Sequence, residues 1–228
     1  MAGAFLDACR AVADRPQTRV LVISGEGRAF MAGGNVAQFQ STPQQVCEQL
    51  IEPMHQALLL LAQLPVTVLA SLHGAVAGAG MSLALACDLA IAADNCRFNF
   101  AYSRLGASCD LGMSWHLPRL VGLRNALQIA LLSDPLDATQ AFGLGLVNQV
   151  VPFAELEQYT QALAERLAGA APIAQGLLKQ LLRRSGERDF GEQLQAEQQA
   201  FARCIASSDF HEGVDAFLQK RPANFGGH

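Results

Sequence analysis

Gly74-Ala-Val-Ala-Gly-Ala-Gly80 is the stretch of this chain whose composition could best support chemistry. It follows Val66-Thr-Val-Leu-Ala-Ser-Leu72, an apolar run rich in β-branched residues that reads as a strand buried on both faces. It precedes Met81 to Ala86, a run of good helix formers. In a strand, glycine-rich turn and helix, the first N–H groups of the helix lack intrahelical partners and lie at the positive end of its dipole. Small residues from Ala77 to Gly80 let a ligand approach that backbone closely. The chemistry on offer is stabilisation of a developing negative charge by fixed donors. A tight strand–helix junction without a ligand accounts for the glycines equally well. Phosphate binding does not fit: there is no Gly-Lys-Ser/Thr, and Gly78-Ala-Gly80 lacks the third glycine of a dinucleotide fingerprint.

The elements that must position this turn are readable from pattern. Ala2 to Asp14 is an amphipathic helix ended by Pro16, and Thr18 to Ser24 is a second buried strand. A loop from Phe30 to Phe39 leads to a long helix, Gln44 to Gln63. Leu89 to Ala93 is a buried strand, Arg97 to Phe100 a shorter one, and Ala101 to Gly112 a loop. Arg119 to Leu132 reads as a helix, Asp137-Ala-Thr-Gln140 as a capping box opening a short helix, and Val147 to Val151 as the last strand. From Phe153 onward the pattern is helical: Phe153 to Leu167, Pro172 to Arg184, Gln193 to Ala206 and Ser208 to Lys220, the last with a capping box from Asp209 to Glu212. The change near residue 152 divides the chain into an α/β part, 1–152, and a helical part, 153–228.

Composition narrows the function classes. The chain has 228 residues, 51% of them hydrophobic and 16% charged, enough for one large core. A net charge of −4 and 7% aromatics argue against nucleic acid as a partner. No apolar run is long enough for a membrane span, and no signal-peptide pattern opens the chain, so the expectation is a cytoplasmic protein with no membrane partner. The six cysteines are scattered, with no C-x-x-C pair, which argues for reduced thiols and no metal site. Cys109 alone lies near the candidate chemistry, and no base pairs with it in the pattern.

Four separated stretches resemble the crotonase (enoyl-CoA hydratase/isomerase) superfamily. They are Gly27-Arg-Ala-Phe-Met-Ala-Gly-Gly-Asn-Val36, similar to the family's G-x-A-F-x-A-G-x-D-L; Gly74 to Gly80 with Leu83-Ala-Leu-Ala-Cys-Asp88; Leu117-Pro-Arg-Leu-Val-Gly122 with Ala141 to Pro152; and Glu212 to Pro222. They occur in the family's order and span nearly the whole chain. The resemblance implies an α/β fold of crotonase (ClpP-like) type, a spiral of ββα units with a C-terminal helical region that serves oligomerisation as a homotrimer or a hexamer, a dimer of trimers. Family members carry two further strands, with part of the coenzyme A site, before the first helix of this chain. No resident cofactor is implied, since coenzyme A enters as part of an acyl-CoA thioester substrate.

The resemblance also implies residue roles. The backbone N–H groups of Gly34 and Ala79 would form an oxyanion hole for the thioester carbonyl. The two glutamates of the hydratases are absent: Ser82 and Tyr102 stand in their places. Asp110 stands where ring-epoxide isomerases of phenylacetate degradation carry a proton-shuttling aspartate, and where a hydrolytic chlorobenzoyl-CoA dehalogenase carries its nucleophile. Partial burial between Leu105, Leu111 and Trp115 would raise its pKa. From spacing alone, Asp110 reads better as an Asx turn before Leu111-Gly112. His55 aligns with the dehalogenase's general base; a packed or solvated helical histidine is the plainer reading. Ser82 and Tyr102 fit the lining of an acyl pocket, and His73 a residue that bonds the backbone. Ala32 and Gly34 carbonyls, Arg28, Phe217 and Lys220 match coenzyme A contacts, although Arg28 and Lys220 also read as solvated surface charges. Isomerisation is the favoured reaction; hydration, dehalogenation and non-catalytic coenzyme A binding are the alternatives.

Overall fold

In a computed structural model describing residues 1–228, the chain forms two sheets wrapped by helices. The order is α1 (Ala2–Ala13), β1 (Val20–Ser24), α2 (Val36–Ser41), α3 (Pro43–Val46), a π-helical turn Cys47–Ile51, α4 (Glu52–Gln63), β2 (Thr67–Leu72), β3 (Ala75–Ala77), α5 (Ala79–Ala86), β4 (Leu89–Ala93) and β5 (Arg97–Asn99). After a 3-10 turn at Tyr102–Leu105 come α6 (Met113–Val121), α7 (Leu123–Leu132), β6 (Leu136–Asp137), α8 (Ala138–Gly143) and β7 (Gln149–Val151). The rest is helical: α9 (Leu156–Ala168), α10 (Pro172–Arg184), α11 (Phe190–Ile205) and α12 (Ser208–Gln219).

The four-stranded sheet runs β1-β2-β4-β7 and is parallel throughout. Its inner strands β2 and β4 are mostly apolar and buried along nearly their whole length, as strands covered on both faces must be. The smaller sheet runs β3-β5-β6. Met31 adds an isolated parallel bridge to Val76, so the segment after β1 also reaches the smaller sheet. Each of the first three turns of chain thus gives one segment to each sheet and then helix, which is the expected spiral of ββα units, and the last reverses the order, with β6 in the smaller sheet, then α8, then β7 in the larger.

Several boundaries differ from the sequence expectations. Residues 36–39, expected at the end of the loop, belong to the helix Val36–Ser41, which the Asn35 side chain caps by accepting from the Ala37 N–H. The long helix contains a π-turn. Pro53 has no N–H to offer the Gln49 carbonyl, and the Glu52 N–H reaches back to Cys47 O. The helix expected from Arg119 begins earlier, at Met113, tolerates Pro118 inside α6, and breaks at Gly122, whose φ of +76° suits glycine. The Asp137–Gln140 capping box is present in full. The one expected at Asp209–Glu212 is not: Ser207 caps α12, Asp209 turns inward to accept from the Gly226 and Gly227 N–H groups, and Glu212 pairs with Arg221.

The helical C-terminal part is tied to the sheets through Asp88. Its carboxylate accepts from the Val68 N–H at 2.8 Å, from Lys179 Nζ at 2.9 Å, and from Arg183 Nε at 2.8 Å. Lys179 also donates to the carbonyls of Leu61 and Val66. Burial holds the Lys179 ammonium below its ordinary range, against the opposing pull of Asp88. Removing the carboxylate strands two cations in a mostly buried site. Asp88→Ala is therefore expected to lose about 3–5 kcal/mol of unfolding free energy, read from the urea midpoint.

Candidate active site

The Gly34 and Ala79 N–H groups come from two segments that lie side by side. The segment after β1 runs along β3: Phe30 N–H donates to His73 O at 2.8 Å, Met31 N–H to Ala75 O at 3.1 Å, and Ala77 N–H to Met31 O at 2.9 Å. Glycine makes this approach feasible. A Cβ on Gly74 would lie 2.1 Å from Arg28 O, and one on Gly80 would lie 2.1 Å from Met31 O. At the far end Gly33 and Gly78, with φ of +111° and +51°, face one another, a Cβ on Gly78 falling 3.7 Å from Gly33 Cα. Gly34 and Ala79 follow these two glycines. The Gly34 N–H has no acceptor within the protein. Ala79 opens α5, so its N–H has no intrahelical partner. The Phe39 ring of α2 covers Gly34, its Cζ only 2.7 Å from where a Cβ would stand.

His73 bonds the backbone as expected, its Nε2 lying 3.1 Å from Gly27 O. Ala79 in turn packs against a small apolar cluster of Ala2, Met54 and Leu111. That cluster brings the start of α5 beside the loop that carries Asp110.

Asp110 is half-buried and is held by a polar chain. Ser82 is fully buried on α5, and its Oγ lies 2.9 Å from Tyr102 Oη. The Tyr102 hydroxyl donates to Asp110 Oδ1, so Ser82 must be the donor to Tyr102. Burial first, and the bond to Asp110 second, push the Tyr102 phenol well above its ordinary range. It therefore stays protonated and donating. The spacing of residues 82, 102 and 110 gave no local sign of this chain. The one signal was that Ser82 and Tyr102 occupy the two places where a hydratase resemblance puts glutamates, which must face a common point.

Other placements correct the sequence reading. Asp110 is not enclosed by three apolar side chains: Leu111 is 2% exposed, but Leu105 is 53% and Trp115 44% exposed. The Trp115 ring is instead engaged by the Arg119 guanidinium, 3.4 Å from its centroid. His55 Nε2 accepts from the Leu111 N–H at 3.1 Å. Cys109 is half-buried against the main core, and all six cysteines are free thiols. Burial pushes the Cys87 thiol up to about 12 and that of Cys9 to about 11, so neither is poised as a nucleophile. Arg28 and Ala32 are exposed on the same loop as Gly34, whereas Phe217 and Lys220 stand on or just after α12, Phe217 being 82% exposed.

The family model described as Enoyl-CoA hydratase/isomerase matches residues 1–228, the entire chain. The chain belongs to the enoyl-CoA hydratase/isomerase family. Among its curated relatives, the 1,2-epoxyphenylacetyl-CoA isomerase of Escherichia coli (strain K12) is 36% identical over 229 residues, covering 98% of this chain and 87% of that one. The crotonyl-CoA hydratase of Syntrophomonas wolfei is 34% identical over 220 residues, covering 96% and 85%. The crystal structure of an enoyl-CoA hydratase from Polaromonas sp. JS666 superposes with a TM-score of 0.92 at 35% identity, covering 99% of this chain and 89% of that one. The fold is thus the crotonase fold. As an enoyl-CoA hydratase/isomerase the protein is an enzyme of a family acting on acyl-CoA thioesters. Relatives named for isomerisation and for hydration match it alike. No helix is long and apolar enough to cross a membrane.

Proposed function

We propose that this enoyl-CoA hydratase/isomerase is an isomerase that moves a carbon–carbon double bond in an acyl-CoA thioester. Asp110 takes a proton from the α carbon of a 3-enoyl thioester. The electron pair left behind spreads to the thioester oxygen, where the Gly34 and Ala79 N–H groups stabilise it. The same carboxyl group, now protonated, delivers the proton to the γ carbon and the 2-enoyl thioester results. Atoms and charge balance with no co-reactant.

The observation that carries this reading is the Ser82–Tyr102–Asp110 chain. Hydration needs a carboxylate pair that positions and activates water. Here the residues in those two places are hydroxyls, bonded to each other and to the one remaining carboxylate. The Tyr102 hydroxyl donates to Asp110 Oδ1 and so fixes the orientation of its carboxyl group. His55 does not favour dehalogenation, since its Nε2 lone pair is already taken by the Leu111 N–H. Coenzyme A would be met by the Ala32 and Gly34 carbonyls, Arg28, Phe217 and Lys220. A homotrimer, or a pair of them, is part of the same reading. It is supported by large apolar side chains left exposed on the C-terminal helices, among them Leu182, Phe190, Phe201 and Leu218.

The test is product analysis with a panel of 3-enoyl- and 2-enoyl-CoA thioesters by mass spectrometry and chromatography. The expected outcome is conversion at constant mass. A product heavier by one water would make the enzyme a hydratase, and tight binding without conversion of any thioester would make it a binding protein.

A further inference from the structure

We infer that His55 is a positioning residue: its imidazole tethers the strained turn that carries Asp110 and does not act as a base. This rests on the reading of Asp110 as the proton shuttle. The turn closes through the Met113 N–H on the Asp110 carbonyl at 3.1 Å. Its two inner residues are both left-handed, Leu111 at φ +50° and Gly112 at φ +76°. Gly112 adopts that conformation freely. Leu111 does so against the repulsion between its Cβ and the backbone. Such strain persists only where the surroundings over-determine it, and it gathers at functional sites.

Two tethers over-determine Leu111, and adjacent residues of α4 supply both. The Met54 side chain packs on the buried Leu111 side chain, with Ala2 completing the cluster. His55 Nε2 accepts the Leu111 N–H. The ring proton is therefore on Nδ1, and the Nε2 lone pair is engaged for as long as the turn keeps its shape. Pro53 and the π-turn it imposes lie immediately before these two residues and set the face they present. Asp110 is thus fixed from two directions, its side chain by the Tyr102 hydroxyl and its backbone by the tether one residue on. Loss of the second fixation would let the carboxylate drift from the line between the α and γ carbons, and reactions of this kind are sensitive to displacements of an ångström.

The test compares His55→Ala with His55→Gln. Glutamine can present an oxygen acceptor at similar reach, whereas alanine cannot. The expected result is a fall in kcat of about 10–100-fold for His55→Ala, with KM for the thioester within about twofold, and recovery to within about threefold of the native rate for His55→Gln. Hydrogen–deuterium exchange of the peptide containing Leu111 rises in His55→Ala and stays native in His55→Gln. Equal loss of kcat in both variants with native exchange at Leu111 would mark His55 as a base and overturn the inference. Native exchange in His55→Ala with native kcat would overturn it as well. Asp110→Asn is run beside them: full turnover there defeats the shuttle reading on its own, whereas the exchange at Leu111 judges the tether on its own.

Discussion

Asp110→Asn is expected to lower turnover of a 3-enoyl-CoA by about 10³-fold while leaving thioester affinity within about twofold, the outcome for removal of a group that acts only in proton transfer. The substitution is well controlled. The asparagine carbonyl oxygen can still accept from the Tyr102 hydroxyl, and the backbone bonds from Met113 to residue 110 and from Leu111 to His55 do not involve the side chain. What is lost is basicity alone. The two backbone donors at Gly34 and Ala79 remain, so a residual rate above the uncatalysed one persists. Steady-state kinetics on a 3-enoyl-CoA, with direct binding measured by calorimetry, checks both halves. Turnover within about twofold of native would remove Asp110 from the mechanism.

Gly80→Ala has the second largest expected effect: a drop in kcat of about 10²–10³-fold, from the addition of one methyl group. The new Cβ would stand 2.1 Å from Met31 O and 2.8 Å from Met31 C. Neither atom can move alone. The Met31 carbonyl accepts from the Ala77 N–H, and the Met31 N–H donates to Ala75 O, so the two segments must separate together. Gly34 lies three residues beyond Met31, and Ala79 immediately precedes Gly80. The separation therefore spoils the relative placement of the two oxyanion donors directly. Gly3→Ala is the control, since a Cβ there meets nothing within 4 Å. It should leave kcat unchanged and slightly raise stability through helix propensity. Both are assayed below their unfolding transitions, followed by circular dichroism. Native kcat in Gly80→Ala would mean that the spacing of these segments does not matter to the reaction.

The parts of the fold that were legible in the sequence were those set by burial and by local caps. Strands β2 and β4 are apolar at nearly every position because both faces are covered, and Asp137 with Gln140 makes its capping box within one turn. The parts that were not legible depend on partners far away in sequence. Ser207 and Asp209 both offer a cap to the last helix, and the choice falls to Ser207 because the Gly226 and Gly227 N–H groups return from the tail to take Asp209. Pro53 falls in the interior of the helix expected from Gln44 to Gln63, and its missing N–H reshapes the turn before it. In the candidate site, Gly34, Ala79 and Asp110 enter the proposal through the motifs that resemble the family. The polar chain from Ser82 through Tyr102 could not be read from them, since twenty residues and two elements separate its members. Nor could the His55 tether, because the acceptor for a single strained N–H leaves no pattern.

The most direct test of the central claim follows deuterium. The native enzyme and Asp110→Asn are incubated in D2O with a 3-enoyl-CoA thioester, and label at the α and γ carbons is located by mass spectrometry and NMR. A single carboxyl group acting as shuttle predicts double-bond migration in the native enzyme with the α proton carried to the γ carbon, so that label enters at the γ carbon at well below one equivalent, and loss of both migration and label in the variant. Migration that continues undiminished in Asp110→Asn, or a native enzyme that adds water across the double bond without moving it, would contradict the account.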